Sequence, residues 1–156
     1  MKIRRRLRGV RGMRGERGAA LVEFALVVPL LMMMMCAAID FGLAVYTLNN
    51  LTAAVREGGR YAAILDSPTW TANSGTTAQG LVRDRVYSYI VGMNNGLTMA
   101  QTKALITVSN PDATTGMITV QITGYPYRPV TPLANLMRLQ TINLNRTAIF
   151  RWERAT

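Results

Sequence analysis

Histidine is absent from this chain, and cysteine occurs only once. Histidine is the commonest general base and metal ligand of enzymes, and its absence argues against both roles. The single cysteine, Cys36, excludes an internal disulfide and a CxxC pair. The few acidic residues show no spacing typical of a metal site, and no phosphate-binding or dinucleotide-binding glycine motif occurs. We therefore expect a protein that is not an enzyme and that needs no cofactor, metal or small-molecule substrate.

Positive charge is concentrated at the N-terminus. Residues 1–18 carry +7 of the chain's formal net charge of +10. A basic arm of this kind can neutralise nucleic-acid phosphates, but an apolar run follows it directly, over residues 19–40. That run is long enough to cross a hydrocarbon core of about 30 Å at about 1.5 Å per residue. It is also longer than the apolar region of an ordinary secretory signal. We therefore predict a membrane partner and no nucleic acid.

The same charge distribution predicts an orientation. Lys and Arg concentrate on the cytoplasmic side of membrane proteins, which places the N-terminus inside and the C-terminal part outside. Two carboxylates, Glu23 and Asp40, lie about 25 Å apart if the run is helical. One interpretation is that they mark the two edges of the bilayer. For Asp40 the sequence suggests no role other than marking the bilayer edge, whereas for Glu23 it suggests a second role.

The residues around Glu23 resemble a known processing site. Gly18, four small or apolar residues and then Glu23-Phe24 are similar to the site of type IV prepilins, most closely of the tight-adherence (Flp) class. The resemblance implies that a membrane aspartyl peptidase cuts between Gly18 and Ala19 on the cytoplasmic side. The new α-amino cation at Ala19 would then be neutralised by Glu23, within one helix or between subunits, since a buried charge is tolerated when it is paired.

A second motif lies about 40 residues further on. It comprises Arg56, Glu57, Gly58, Gly59, Arg60, Tyr61 and Ala62. Together with the opening segment, it makes residues 17–63 resemble the TadE-like family of pseudopilins. Val55 and Gly59 stand where that family usually has alanine. The resemblance implies a pseudopilin or minor pilin of a bacterial inner membrane. Its implied partners are a prepilin peptidase, other pilins or pseudopilins and the pilus assembly platform.

A different function remains open from the residues alone. An uncut single-pass anchor, with an outer domain that binds an envelope or secreted partner, would need the same charges and the same apolar run. Within the pseudopilin hypothesis, the mature protein would either enter the filament as a minor subunit or prime assembly in the membrane. The sequence does not separate these two uses.

Residues 41–65 are predicted to continue the membrane helix as an amphipathic stalk. Apolar or small residues recur at alternating steps of four and three, which is near the coiled-coil period. They are Phe41, Val45, Leu48, Thr52, Val55, Gly59 and Ala62. The small residues around Gly58 favour close packing of the stalk against the C-terminal domain rather than against a partner helix.

Residues 66–156 are predicted to form one small domain. After a polar loop over residues 66–79, we expect an amphipathic helix over 81–93 with Tyr89 on its apolar face, and a β-hairpin of strands 104–109 and 117–123. We expect residues 125–132 to leave the sheet, a short helix over 133–139 and a final strand over 141–152. Tyr125, Tyr127 and Trp152 are interpreted as core or sheet-edge residues. The fold class is therefore α+β, a long N-terminal helix packed by a pilin-like antiparallel sheet.

Overall fold

The computed structural model describes residues 13–66, 70, 77–93, 96–132 and 141–153. The helices and strands are, in chain order, α1 (Met13–Ala63), α2 (Ala78–Ile90), α3 (Met99–Ala104), β1 (Ile106–Val108), β2 (Met117–Tyr127) and β3 (Ile142–Arg151). A long apolar helix followed by short helices and an antiparallel sheet confirms the predicted α+β class. The helix predicted over residues 133–139 lies outside the described residues.

Helix α1 is continuous over 51 residues, which corresponds to about 77 Å at 1.5 Å per residue. It contains Pro29 and ends at Ala63, close to the predicted end of the stalk. Among the described residues, α1 is the one helix that is long and apolar enough to cross a membrane, and its most apolar part has no buried residue. Helix α1 thus has an N-terminal half that is apolar and long enough to cross a membrane and a C-terminal half that packs against the domain.

The two short helices are defined by their N-caps. Thr77 caps α2, and its hydroxyl accepts a hydrogen bond from the backbone N–H of Gly80 at 3.3 Å. Helix α3 was not predicted, and the prediction of a strand from Ala104 was wrong because α3 ends there. The sequence signal for α3 is a capping box, in which Thr98 and Gln101 bond to each other's backbone N–H groups.

The sheet has the order β1-β2-β3, and both pairs are antiparallel. β1 and β2 form the predicted hairpin, with Ile106 opposite Ile122 and Val108 opposite Val120. Its connection closes at Gly116, whose φ of 69° is a conformation that favours glycine. The predicted final strand is confirmed as β3, which pairs with β2 along nearly its whole length.

Residues 125–127 stay in the sheet, and the prediction that they leave it was wrong. β2 continues to Tyr127 through a register shift between Ile122 and Tyr125. Gly124 supplies the bulge with a φ of 71°, and its N–H donates to Oδ1 of Asn145 at 2.7 Å. Pro126 is tolerated because β1 begins at Ile106, opposite Ile122, and does not extend as far as Pro126. At this position β2 therefore pairs with β3 alone.

The core lies between α1, α2 and one face of the sheet. Its largest fully buried side chains are Tyr125, Leu51, Ile90, Ile106, Ile118, Ile122, Val55, Val82, Val86 and Val120. Tyr125 is 1% exposed and Tyr127 is 7% exposed, which confirms the core interpretation of these aromatics. Trp152 packs at the margin of the core, and its indole N–H donates to the carbonyl of Leu65 at 2.8 Å.

The predicted stripe of the stalk is correct only in its C-terminal half. Phe41 and Val45 are exposed, whereas Ala44, which the stripe omits, packs partly buried against the core. Further along, Leu51 and Ala54 are buried although the stripe omits them. A helix that packs against both α2 and the sheet buries a face wider than a coiled-coil seam.

The predicted apolar face of α2 needs a similar correction. Val82, Val86 and Ile90 recur every four residues and are buried on one face. Tyr89 is 48% exposed. Successive residues of a helix point about 100° apart, so the Tyr89 side chain points away from the buried face that contains Ile90. Its ring lies 5.7 Å from the guanidinium carbon of Arg85.

Candidate functional site

The segment around the predicted processing site lies on the exposed surface of α1. Gly18, Ala19, Glu23 and Phe24 are all exposed. Apart from its chain neighbours and the backbone of its own helix, no heavy atom of the described residues lies within 4 Å of the position that a Cβ would take at Gly18. Ala19 and Glu23 stand four positions apart on a continuous helix and therefore share one face. Among the described residues, nothing packs against the Cβ position of Gly18, and the carboxylate of Glu23 is about one helical turn from Ala19.

The apolar run that follows is uncovered by the rest of the described chain. Leu21, Phe24 and Leu26 are between 66% and 73% exposed, and the four methionines from Met32 to Met35 are about half exposed. A soluble monomer rarely exposes an apolar surface of this extent, which is typical of a membrane or a protein interface. One N-terminal apolar helix of this kind indicates a single-pass membrane protein.

The second predicted motif, residues 56–62, is divided between the core and the surface. Gly58, Gly59 and Ala62 are buried, whereas Arg56 and Arg60 are exposed. A Cβ at Gly58 would overlap Cγ2 of Val86, and one at Gly59 would overlap the ring of Phe150. The two glycines therefore let α2 and β3 approach the backbone of α1. This confirms that the small face of the stalk packs against the C-terminal domain.

The charged members of this motif form an ion-pair group at the surface. Glu57 accepts a hydrogen bond from Nη2 of Arg85 at 2.8 Å, and Arg60 lies 3.5 Å from its other carboxylate oxygen. The bond from Arg85 lowers the pKa of Glu57 below its ordinary value against an opposing effect of desolvation, and the charge of Arg60 adds to the lowering. The motif thus links α1 to α2 through a charge pair beside the glycine contact. Tyr61, the remaining member, packs partly buried against the core.

Asp40 binds a segment that is distant in sequence. Its carboxylate accepts hydrogen bonds from the backbone N–H of Val130 at 2.9 Å, from the backbone N–H of Thr131 at 3.2 Å and from the hydroxyl of Thr131. The hydroxyl of Tyr127 donates to the backbone carbonyl of Asp40 at 2.8 Å. The end of the apolar run is therefore fastened to the segment that follows β2. No local sequence signal predicts it, since about 90 residues separate the partners.

Metal-ligating side chains are not grouped in the part of the chain that the structure describes. No cluster of three or more His, Cys, Asp or Glu side chains occurs in that part of the chain. Cys36 carries a free thiol on the apolar half of α1.

Comparison with known proteins identifies the segment that contains both motifs. Residues 18–60 match the family model of TadE-like proteins. The match begins at Gly18 and ends at Arg60, so that it includes the predicted processing site and most of the second motif. No curated protein and no solved structure matches the chain. The TadE-like segment confirms the resemblance and indicates, at the level of the family, a pseudopilin associated with a tight-adherence pilus.

Proposed function

From the TadE-like segment at residues 18–60, we propose that this chain is a pseudopilin or minor pilin that assembles through its N-terminal helix. The observation that carries the proposal is the helix α1 itself. Its first half is apolar and uncovered, and its second half is built into a small α+β domain. A subunit of this form has an apolar helix at one end, which can pack with other helices in the membrane, and a folded domain at the other end.

Processing between Gly18 and Ala19 by a prepilin peptidase is part of the proposal. The exposure of Gly18 and the lack of neighbouring side chains support access of a protease to this peptide bond. After the cut, the free amino group of Ala19 lies on the same face as the Glu23 carboxylate. A neutralised pair of this kind costs less to bury among packed helices than either charge alone.

Placement in the membrane follows from the same features. We assign residues 1–18 to a cytoplasmic leader, residues 19–40 to the membrane helix, residues 41–65 to a stalk and residues 66–156 to an extracytoplasmic domain. The basic leader supports this orientation. Other pilins, pseudopilins and the assembly platform of the bacterial inner membrane would then be the partners of the apolar half of α1.

The N-terminus of the mature protein tests this function. Protein extracted from membranes of a host that contains the prepilin peptidase should begin at Ala19 by N-terminal sequencing and by intact mass. A Gly18→Val variant should insert in the membrane and remain uncut, whereas Gly42→Ala, at a glycine that also lacks close neighbours, should be processed normally. An intact Met1 in the wild-type protein would favour the uncut anchor whose outer domain binds an envelope or secreted partner. Maturation of Gly18→Val at Ala19 would show that the site is wrongly assigned.

A further inference from the structure

A groove opens beside α1, just beyond the end of its apolar run. It has a volume of about 450 Å³ and lies between α1, the end of α2 and the end of β2. Its wall includes Leu43, Tyr46, Met93, Tyr127 and Val130, and several polar groups. The volume falls within the range of about 300 to 1,000 Å³ that is typical of small-molecule sites. The groove is therefore large enough for a lipid headgroup with the upper part of its glycerol backbone.

The contacts of Asp40 fix the height of this groove relative to the membrane. Leu43 and Tyr46 lie about 5 and 9 Å beyond Asp40 along α1. The headgroup layer extends about 5 to 8 Å beyond the hydrocarbon core on each side. Val130 is held at the level of Asp40 by its backbone hydrogen bond, yet its side chain is 74% exposed. With the apolar run in a bilayer, the lower rim of the groove lies in the headgroup layer.

Arg128 is the one charged residue in the groove's described lining. It lies two positions before Val130, a reach of at most about 7 Å, so its backbone also lies near the membrane surface. Its guanidinium lies against Gly96, where a Cβ would be 3.2 Å from Nη1. None of the ion pairs between described side chains involves Arg128. An exposed guanidinium without a carboxylate partner suits a phosphate group.

The charges around the groove also favour one class of phospholipid. The carboxylate of Asp40 already accepts three hydrogen bonds from Val130 and Thr131. Asp40 also lies outside the groove's described lining, in which Arg128 is the one charged residue. The lining therefore offers no carboxylate to the ammonium group of a zwitterionic headgroup, whereas the positive charge of Arg128 attracts a headgroup with net negative charge.

We propose that this groove binds an anionic phospholipid from the leaflet at the C-terminal end of the membrane helix. Arg128 binds the phosphate, Leu43 and Tyr46 contact the glycerol region, and Val130 contacts the upper acyl chain. The inference rests on the membrane placement in the proposed function. It adds a specific lipid contact that fastens the domain to the bilayer surface.

Reconstitution of the full-length protein tests the lipid contact. The protein is placed in vesicles of phosphatidylcholine containing phosphatidylglycerol, and the lipid that it retains on release is measured by native mass spectrometry. We expect preferential retention of phosphatidylglycerol. Arg128→Gln should lower this retention about tenfold, the loss expected for one charge-assisted hydrogen bond. Arg151→Gln is the matched control, because Arg151 is also exposed but lies at the far end of β3.

Cross-linking locates the lipid independently of its affinity. Benzoylphenylalanine placed at Val130 should form lipid adducts on illumination. The same probe at Ile149, which is 62% exposed on β3, should form none. Adducts between Val130 and a second protein chain would overturn the inference, because the groove would then be a protein interface.

Flotation of the vesicles separates this inference from the function on which it rests. If the wild-type protein does not float with the vesicles, the proposed membrane placement fails and the lipid contact fails with it. If it floats but Arg128→Gln retains as much phosphatidylglycerol as Arg151→Gln, the lipid contact alone is wrong. Equal retention of phosphatidylcholine and phosphatidylglycerol by the wild-type protein would also overturn it.

Discussion

Asp40 and Thr131 are joined by two hydrogen bonds although 91 positions separate them in the chain. The backbone N–H of Thr131 donates to Oδ1 of Asp40 at 3.2 Å, and its hydroxyl donates to Oδ2. The bond from Val130 to Oδ1 completes the contact. A carboxylate at the end of the apolar run thus fixes the chain after β2 to the helix. The orientation of the domain relative to α1 depends on this contact as well as on the core.

Asp40→Asn should loosen this attachment. The amide keeps the shape of the carboxylate but loses its charge and one of its two acceptor oxygens, and bonds to a charged group contribute about 1.5 to 3 kcal/mol. We expect faster hydrogen exchange at the amides of Val130 and Thr131 and a modest fall in thermal stability. Thr131→Val should give part of the effect, because it removes only the hydroxyl bond. Thr147→Val, on the exposed side of β3, should leave both measurements unchanged. Unaltered exchange at Val130 in Asp40→Asn would contradict the role of the contact.

Gly59→Ala should destabilise the domain by about 1 to 3 kcal/mol, the usual cost of inserting a methyl group into a packed site. The ring of Phe150 occupies the space that the new Cβ needs. Chemical denaturation of the full-length protein in detergent measures the effect. Gly42→Ala is the matched control, since no described atom outside its own helix backbone and chain neighbours lies within 4 Å of its Cβ position.

A second substitution tests the Gly59 prediction by making room for the new methyl group at the position of the Phe150 ring. Phe150→Leu replaces the ring by a smaller branched side chain and is expected to destabilise the wild-type protein by itself. In the Gly59→Ala background it should cost less, so the two changes should be non-additive in a double-mutant cycle. Strict additivity would show that the Gly59 backbone and the Phe150 ring do not compete for the same space.

Glu57 should make the domain more sensitive to acid. The bond from Arg85 holds the pKa of Glu57 below its ordinary value in the folded state. The stabilisation is therefore present above the unfolded pKa of about 4.3 and is lost as pH falls through the lower, folded value. The melting temperature of Glu57→Gln should approach that of the wild type below about pH 4. At neutral pH we expect the melting temperatures of Glu57→Gln and the wild type to differ slightly. Salt should reduce this difference, because the ion pair is near the surface.

The pKa of Glu57 can also be measured directly by NMR titration. Arg85→Gln should raise it toward the ordinary value, because the guanidinium donor is lost. Arg56→Gln is the control, since Arg56 is a neighbour in sequence that forms none of the ion pairs of Glu57. An equal rise in both variants would show that general charge, rather than the bond from Arg85, sets the pKa.

Glu23→Gln should separate processing from assembly. The peptide bond after Gly18 is unchanged, so that we expect a mature N-terminus at Ala19. The amino group would then have no carboxylate partner, and burying it among packed helices would become more costly. The fraction of the protein in sheared surface filaments, or the number of filaments if it acts only in priming, should fall severalfold. Glu16→Gln, in the leader that the proposed cleavage would remove, should leave assembly normal. Normal filaments in Glu23→Gln would argue against the charge pair.

Local pattern predicted the elements whose signals lie within a few residues. Apolar length identified α1, alternation identified the strands, and the glycines at 58 and 59 indicated a close contact. The α3 helix carried a local signal too, the capping box of Thr98 and Gln101. The prediction for residues 125–127 was wrong because their local signal pointed away from the structure that forms. Three prolines within residues 125–132 suggested an exit from the sheet, whereas the bulge at Gly124 and the absence of β1 opposite Pro126 let the strand continue.

The sequence alone determined that this protein has a basic N-terminus, a membrane-capable helix with Glu23 near its start and a small domain without histidine or disulfides. These properties follow from charge and hydrophobicity, which act residue by residue. Tertiary structure decided which side chains meet: Gly59 with Phe150, Glu57 with Arg85, and Asp40 with Thr131. It also placed Arg128 in the lining of a groove beside α1. Contacts of this kind depend on how the chain folds back on α1, which no local pattern records.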